Sequence, residues 1–284
     1  MRRRSLLTLP ALGLAALAAA CGVGSRRETA MDAPSDDAVT RRIPYGTDPS
    51  QFGDLYLPGG TPRGLVVVVH GGFWRSEYGL DLGAPLARSL VGRGWAAWNV
   101  EYRRVGGGTG GGGGTPQTFD DVAAALAAVA DLDPALAGLD VVVGLGHSAG
   151  GHLVTWAGGR GGGGVLTHVI SQAGVVDLAS AASERLGGGA VQALLGHPYG
   201  PGDARWDPIA QVPLDVPVWC VHGGDDDIVP PSQSEAYVAA ATEAGARAEL
   251  VRVDGDHFAV IDPGSSAWAR TLEVLEGIAP GGGA

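Results

Sequence analysis

The sequence contains no lysine and only two cysteines, and both shortages narrow what the protein can do. Its 19 basic residues are all arginines, and 30 acidic residues outnumber them, which gives a formal net charge of −11. Because nucleic-acid-binding proteins concentrate basic residues on one face, this balance argues against a nucleic-acid partner. The glycine-rich segment 106–114 is not a nucleotide phosphate loop, since that motif requires a lysine.

The scarcity of cysteine also excludes a disulfide framework. The two cysteines are Cys21 and Cys220, and Cys21 lies in a segment that we expect to be processed. The histidines are scattered, and the sequence has no H-E-x-x-H motif or cysteine cluster, so it predicts neither a metal site nor a cofactor. The 284 residues, 45% of them hydrophobic, suffice for one α/β domain with a large core.

The N-terminal segment predicts export. Three arginines at positions 2–4 precede the apolar run 6–20, which is too short to span a bilayer core of about 30 Å. We therefore interpret residues 1–20 as a secretory signal peptide, and the arginines suit the twin-arginine route and the general route equally.

Residues 17–21, Leu-Ala-Ala-Ala-Cys, resemble a bacterial lipobox. In that interpretation Cys21 receives a diacylglyceryl group and residues 21–40 form a polar tether; ordinary cleavage after an A-x-A site is the alternative. Two acyl chains give stable anchoring. We predict a protein of the cell envelope, anchored at the outer face of the cytoplasmic membrane and touching the membrane only through this anchor.

From residue 41 to residue 279, short β-branched runs alternate with longer segments of helical period. This pattern predicts βαβ units around a mainly parallel sheet. The expected parallel strands are 65–70, 95–100, 139–145, 165–171, 216–221 and 248–253, after an edge hairpin of 39–45 and 52–57. The expected helices are 81–91, 119–130, 149–157, 232–243 and 266–278. Residues 175–213 are too long for a plain connection and predict a small lid insertion, and 280–284 form a glycine tail.

A G-x-S-x-G motif, with Ser148 at its centre, falls where the strand 139–145 must turn into a helix. Such a turn is typical of a nucleophile elbow, in which glycines permit a cramped backbone that exposes the serine hydroxyl. The alternative is a glycine-rich turn with an incidental serine.

The segment 70–74, His-Gly-Gly-Phe-Trp, directly follows another predicted strand. An acyl-transfer site needs two backbone N–H donors for the developing oxyanion. We expect them among the amides of Gly71, Gly72 and Phe73, together with the amide of Ala149 after the nucleophile. We interpret His70 as structural, since it precedes the donors on the same turn.

A general base and its carboxylate are predicted after the last two strands. His257 follows the strand 248–253 and is positioned to take the proton of Ser148. Asp225, Asp226 and Asp227 follow the strand 216–221, and composition alone does not select among them. Asp177 is a further candidate for the acid. The weaker candidates for the base are His147, His152, His168, His197 and His222, the last two placed in loops.

Three motifs together resemble the α/β-hydrolase superfamily, particularly its bacterial esterase and kynurenine-formamidase-like group. Residues 70–74, 146–152 and 222–230 match H-G-G-x-W, G-H-S-A-G-G-H and H-G-x-x-D-x-x-V-P. The resemblance implies an α/β-hydrolase fold and selects Asp226 as the acid. Residues 101–103, Glu-Tyr-Arg, resemble the D-Y-R segment of the family, which we interpret as structural.

The resemblance and the residues together predict a serine hydrolase that cleaves carboxylic esters or small amides through an acyl-enzyme, with a Ser148–Asp226–His257 triad. The alternatives are an arylformamidase or small peptidase on the same triad, or a catalytically silent surface binding module. The expected partner is a small neutral substrate, and the oligomeric state stays open. We expect the pocket to be lined by Phe73 and Trp74, and by apolar insertion residues that otherwise only pack the insertion onto the domain: Leu178, Leu186, Val191, Leu194, Leu195, Tyr199 and Trp206. Arg185 and Arg205 are the residues that would favour an anionic substrate instead.

Overall fold

A sheet of eight strands lies at the centre of the computed structural model, which describes residues 39–278 apart from the side chains at 39, 40, 160 and 161. The strands are β1 Val39–Pro44, β2 Phe52–Tyr56, β3 Leu65–Val69, β4 Ala96–Val100, β5 Val142–His147, β6 His168–Gln172, β7 Val218–Gly223 and β8 Ala248–Val253. Their order in the sheet is β1-β2-β4-β3-β5-β6-β7-β8. β2 is antiparallel to β1 and β4, and the other neighbouring pairs are parallel. The predicted α/β fold with a mainly parallel sheet is confirmed.

The predicted strands all occur, but β5 and β6 begin three residues later than the apolar pattern indicates. The amide of Leu139 bonds to the carbonyl of Leu136, and that of Val165 bonds to Gly162, so both residues belong to turns before their strands. An apolar side chain that packs from a turn has the same sequence signature as one in a strand.

The five predicted helices all occur, and the insertion 175–213 contributes two more. They are α1 Ala84–Val91, α2 Gln117–Ala127, α3 Ala149–Trp156, α4 Leu178–Ser183, α5 Leu186–Leu195, α6 Ser232–Glu243 and α7 Ser266–Ile278. Helix α2 ends earlier than predicted and continues as the 3₁₀ turn Ala128–Asp131, and a 3₁₀ turn at Leu80–Leu82 precedes α1. Helices α6 and α7 have the predicted bounds.

Two apolar layers cover the sheet. Along β3, Val67 and Val69 pack with α2, α3, α5 and α6, whereas Val66 and Val68 pack with α1 and α7 on the other face. Each of these valines is at most 2% exposed, and burying such a side chain contributes about 1.5–3 kcal/mol. The near-continuous apolar run of β3 therefore reflects a strand that is covered on both faces.

The insertion 175–213 contains α4, α5 and the 3₁₀ turns Pro201–Trp206 and Pro208–Gln211. Four insertion residues that we expected to line the pocket are instead buried in the core, so that prediction is wrong for them: Leu178, Val191, Leu194 and Leu195. Leu186, Tyr199 and Trp206 pack partly buried against the same core, and Trp74 is fully buried. The helical spacing of the apolar residues turns them to one face, which packs the insertion onto the domain.

The chain divides into the units Met1–Ala33 and Pro34–Ala284, and the described residues all lie in the second. The predicted signal peptide, Cys21 and the C-terminal tail lie outside the described residues, and positions 39 and 40 of the predicted tether belong to β1. Within 39–278, no helix has both the length and the apolar character needed to cross a membrane.

Candidate active site

Ser148 occupies the sharp turn between β5 and α3. Its backbone has φ 54° and ψ −116°, a conformation that non-glycine residues rarely adopt and that costs on the order of 1–3 kcal/mol. Three hydrogen bonds hold it there: the amide of Ser148 donates to Gln172 O at 2.8 Å, and Ser148 O accepts from the amides of His152 at 3.1 Å and Val175 at 3.3 Å. Ser148 therefore sits in the strained elbow that the motif predicts.

The two glycines that flank Ser148 are required by close backbone contacts. A Cβ at Gly146 would lie 2.1 Å from Gly150 O, and a Cβ at Gly150 would lie 2.0 Å from Val69 O. Gly150 O belongs to α3 and Val69 O to β3, so neither atom can move without disturbing the helix or the sheet, and the elbow excludes a side chain at both positions.

We expect Gly150→Ala to destabilise the protein strongly, because its methyl group would overlap the carbonyl of Val69. A loss of about 3 kcal/mol corresponds to a Tm about 6–12 °C lower for a protein of this size. Thermal denaturation measures it, with Gly59→Ala as the matched control, since no atom lies within 4 Å of a Cβ at Gly59. Equal Tm values for the two variants would contradict the close packing of the elbow.

The predicted oxyanion turn follows β3. Gly72, Phe73 and Trp74 have consecutive positive φ values of 108°, 52° and 56°, and burial of Trp74 helps to hold this strained path. The amides of Gly72 and Phe73 donate to no acceptor among the residues that the structure describes. A Cβ at Gly71 would lie 3.0 Å from Ser148 Cβ, so the turn lies directly against the elbow. Two free donors are thus available beside the serine.

His70 supports this turn and is placed as a structural residue. Its Nε2 lies 3.0 Å from Glu101 Oε1, its Nδ1 lies 2.8 Å from Gly71 O, and its own carbonyl accepts from the hydroxyl of Tyr102 at 2.8 Å. With both ring nitrogens engaged, His70 has no free nitrogen to act as a base. The residues 101–103, expected to be structural, provide two of these contacts.

Asp226 and His257 are joined by a short hydrogen bond. His257 Nδ1 donates to Asp226 Oδ2 at 2.7 Å, while Asp226 Oδ1 accepts from the amides of Ile228 at 3.0 Å and Val229 at 2.8 Å. Burial disfavours the charged carboxylate, but its hydrogen bonds from His222, His257 and Val229 outweigh burial and hold the pKa of Asp226 well below its usual range. Asp226 is therefore an anion that holds the ring of His257 through Nδ1. The other ring nitrogen, Nε2, is left to accept a proton.

His147 places the loop of His257 beside the nucleophile. It precedes Ser148, its ring lies 4.5 Å from that of His257, and its Nε2 donates to His257 O at 2.9 Å. Burial lowers the pKa of His147 to about 3, so its ring stays neutral. Within residues 39–278 the Ser148 hydroxyl makes no hydrogen bond of its own. Catalytic hydrogen bonds are often long before substrate binds.

The other candidates lie elsewhere. Asp225 and Asp227 are exposed, and Asp177 caps α4 by accepting from the amide of Ser180 at 2.9 Å. His152 is buried and bonded to Trp206 O at 2.8 Å. His168 begins β6, and His197 is in an exposed loop.

The prediction that His222 lies in a loop is wrong. His222 lies inside β7, and its Nε2 is 3.2 Å from Asp226 Oδ2. The signal that identifies it is its spacing of four residues before Asp226 within the motif 222–230, which the apolar pattern of the strand does not reveal.

Exposed aromatic rings border the site. Tyr78 is 44% exposed and lies against Gly72, where a Cβ would be 2.4 Å from the tyrosine. Phe258 is 55% exposed and meets the ring of His257 edge-on at 5.4 Å. Among the described residues no group of three side chains has the arrangement of a metal site.

The fold, with a serine on the elbow between β5 and α3, defines an α/β hydrolase. The resemblance inferred from the motifs is thereby confirmed. This chain belongs to the BD-FAE family, whose sequence model matches residues 54–240, about two thirds of the chain. The match includes Ser148 and Asp226, whereas His257 lies beyond it.

Solved structures share the fold at low sequence identity. A truncated carbohydrate esterase from gut microbiota is 22% identical, with TM-score 0.68, over 85% of this chain and 97% of its own. Esterase 2 of Thermogutta terrifontis, phosphonylated by sarin, is 21% identical, with TM-score 0.70, over 86% and 95%. A putative thioesterase from Silicibacter sp. TM1040 is 24% identical, with TM-score 0.62, over 82% and 85%. No curated protein matches the chain.

Proposed function

We propose that the protein is a serine esterase that hydrolyses carboxylic esters through an acyl-enzyme. The observation that carries the proposal is the 2.7 Å bond from His257 to Asp226. The loop of His257 is held by His147, which directly precedes Ser148 on the strained elbow. The activities named for the solved structures, esterase and carbohydrate esterase, support an ester substrate over an amide.

In the first half of the reaction, Ser148 Oγ attacks the ester carbonyl carbon while His257 Nε2 takes the serine proton. The Asp226 carboxylate stabilises the imidazolium that forms. The negatively charged oxygen of the tetrahedral intermediate accepts hydrogen bonds from the amides of Gly72 and Phe73 and from that of Ala149 at the start of α3.

The tetrahedral intermediate then collapses, and His257 gives its proton to the departing alcohol. A water molecule attacks the acyl-enzyme by the same route: His257 takes its proton, the oxyanion forms in the same place, and Ser148 regains its proton as the acid leaves. The two halves together convert one ester and one water molecule into one alcohol and one acid, and Ser148 and His257 return to their starting protonation states.

The test is a substrate panel on the purified full chain. We expect turnover of p-nitrophenyl esters of graded acyl length above turnover of N-formyl anilides, and covalent labelling of Ser148 by a fluorophosphonate probe. Faster cleavage of the anilides would favour an arylformamidase. An absence of both turnover and labelling would indicate a binding module that retains the fold.

We further expect neutral esters to give a higher kcat/KM than matched anionic esters. Tyr78 and Phe258 present apolar rings at the site, while Arg185 is exposed and Arg205 stacks over Trp206 at 4.8 Å. Arg185→Ala and Arg205→Ala should therefore change kcat/KM by less than about twofold, as exposed substitutions usually do.

Steady-state kinetics with a neutral and an anionic ester of equal chain length measures this preference. Arg75→Ala is measured beside Arg185→Ala and Arg205→Ala as a comparison. Its guanidinium lies beside Phe73, in the predicted oxyanion turn, and donates to Gly187 O. A tenfold preference for the anionic ester that is lost on substitution of Arg75, Arg185 or Arg205 by alanine would refute the neutral pocket.

A further inference from the structure

Asp226 Oδ2 receives two imidazoles, and the proposed mechanism uses only one of them. His257 Nδ1 lies 2.7 Å away, and Nε2 of His222, in the strand β7 that precedes Asp226, lies 3.2 Å away. His222 is 1% exposed, so its ring is fixed by the protein and not by solvent. A second buried histidine on a catalytic carboxylate calls for an explanation of what it does there.

The neighbours of His222 determine where its proton sits. Nε2 faces two acceptors, Asp226 Oδ2 and Val229 O at 2.9 Å, and must therefore carry hydrogen. Nδ1 lies 2.7 Å from the hydroxyl of the fully buried Ser234, which can donate to it. The neutral tautomer with hydrogen on Nε2 satisfies all these contacts.

We propose that His222, held in this tautomer by Ser234, is a positioning residue that fixes the Asp226 carboxylate for His257 and shares its negative charge. The inference rests on the proposed function, because it assigns a role next to the triad. Backbone amides hold Asp226 Oδ1. Oδ2 accepts from both His222 and His257, so His222 determines how strongly Oδ2 binds His257.

If His222 shares the negative charge of Asp226, removing His222 should change the pH dependence of kcat/KM. When His222 is removed, the whole charge of Oδ2 is directed to His257, which then holds its proton more tightly. A smaller fraction of His257 is free to accept the serine proton at a given pH. The acid limb of the kcat/KM profile therefore moves to higher pH.

Other titratable groups surround this pair and remain in place when His222 is changed. His147 packs on His257, Arg252 lies opposite His222 in the β7–β8 ladder, and Arg252 pairs with Glu235 at 2.8 Å. Cys220 bonds to Ser234 and Tyr237 lies near Cys220, while Asp225, Asp227 and Asp256 are chain neighbours of Asp226 and His257. Because this set is unchanged, a shift of the profile reports on His222.

The experiment compares pH profiles of the full chain with p-nitrophenyl acetate. We expect His222→Phe to lower kcat/KM by roughly 10- to 100-fold, mainly through kcat, as loss of a hydrogen bond to a charged group does. Its acid limb should move up by about half a pH unit or more. His222→Gln, whose side-chain N–H can replace Nε2–H, should regain most of the rate and the original limb.

Ser234→Ala keeps the imidazole and removes the hydroxyl, so we expect a smaller shift in the same direction. It also provides the test if His222→Phe does not fold. Acid limbs of His222→Phe, or failing that of Ser234→Ala, that coincide with the wild type would overturn the proposal.

A measurement independent of turnover separates this proposal from the proposed function. NMR titration of the His257 ring in Ser148→Ala, with and without His222→Phe, should show protonation at higher pH when His222 is absent. If the wild type lacked esterase activity but this shift occurred, the esterase assignment would fail and the positioning role would stand. If the wild type were an active esterase but His257 titrated identically with and without His222, the esterase assignment would stand and the positioning role would fail.

Discussion

Replacing Ser148 by alanine should abolish ester hydrolysis, with a loss in kcat on the order of 10⁶-fold, as expected when the nucleophile of such a triad is removed. The hydroxyl makes no hydrogen bond among the described residues, so its loss should leave the fold unchanged. The measurements are steady-state kinetics, fluorophosphonate labelling and a thermal melt of Ser148→Ala beside the wild type.

The control for Ser148→Ala is the thermal melt. A Tm within about 2 °C of the wild type shows that the variant is folded, since one polar atom is lost without a partner. Residual activity within tenfold of the wild type would remove Ser148 from the mechanism.

Asp226→Asn should lower kcat by about 10⁴-fold, the loss seen when a triad carboxylate becomes an amide. The amide oxygen can still accept from the backbone of Ile228 and Val229, so the turn is preserved. Its NH₂ group, however, would face the N–H groups of His257 and His222. His257 must then place its hydrogen on Nε2, where it cannot accept the serine proton.

Kinetics of the neighbouring variants provide the control for this substitution. Asp225→Asn and Asp227→Asn change exposed carboxylates and should alter kcat by less than about twofold. Equal losses at all three aspartates would show that the acid is not selected by its contact with His257. A severe loss at Asp177 would move the acid to the end of the preceding strand.

Contiguous motifs made much of the site predictable. The elbow around Ser148 and the turn at Gly72 are predictable because each is a short glycine-containing motif at the end of a strand. The packing of Gly150 on Val69 O joins distant segments and is not visible in the motif. The choice of Asp226 among three aspartates needed the family resemblance. It depends on which of the three carboxylates the turn after β7 directs toward His257, and the residues of the turn alone do not determine this.

Contacts between distant segments were not predictable. The apolar residues of the insertion have one pattern whether they line a pocket or pack on the core, and only the position of α5 shows that Val191 and Leu194 are buried. The contact of His222 with Ser234 joins a strand to a helix twelve residues further along the chain. Export and lipidation of Cys21 stay predictions.

The insertion also bears directly on the backbone that the proposed mechanism uses. Gly187 packs so closely on Phe73 that a Cβ there would lie 2.6 Å from the ring, and Arg75 bonds to Gly187 O. The insertion therefore braces the turn whose amides would bind the oxyanion in the proposed mechanism. Exchanging the insertion for that of a relative should disturb this turn and slow the chemical step unless the glycine facing Phe73 is retained.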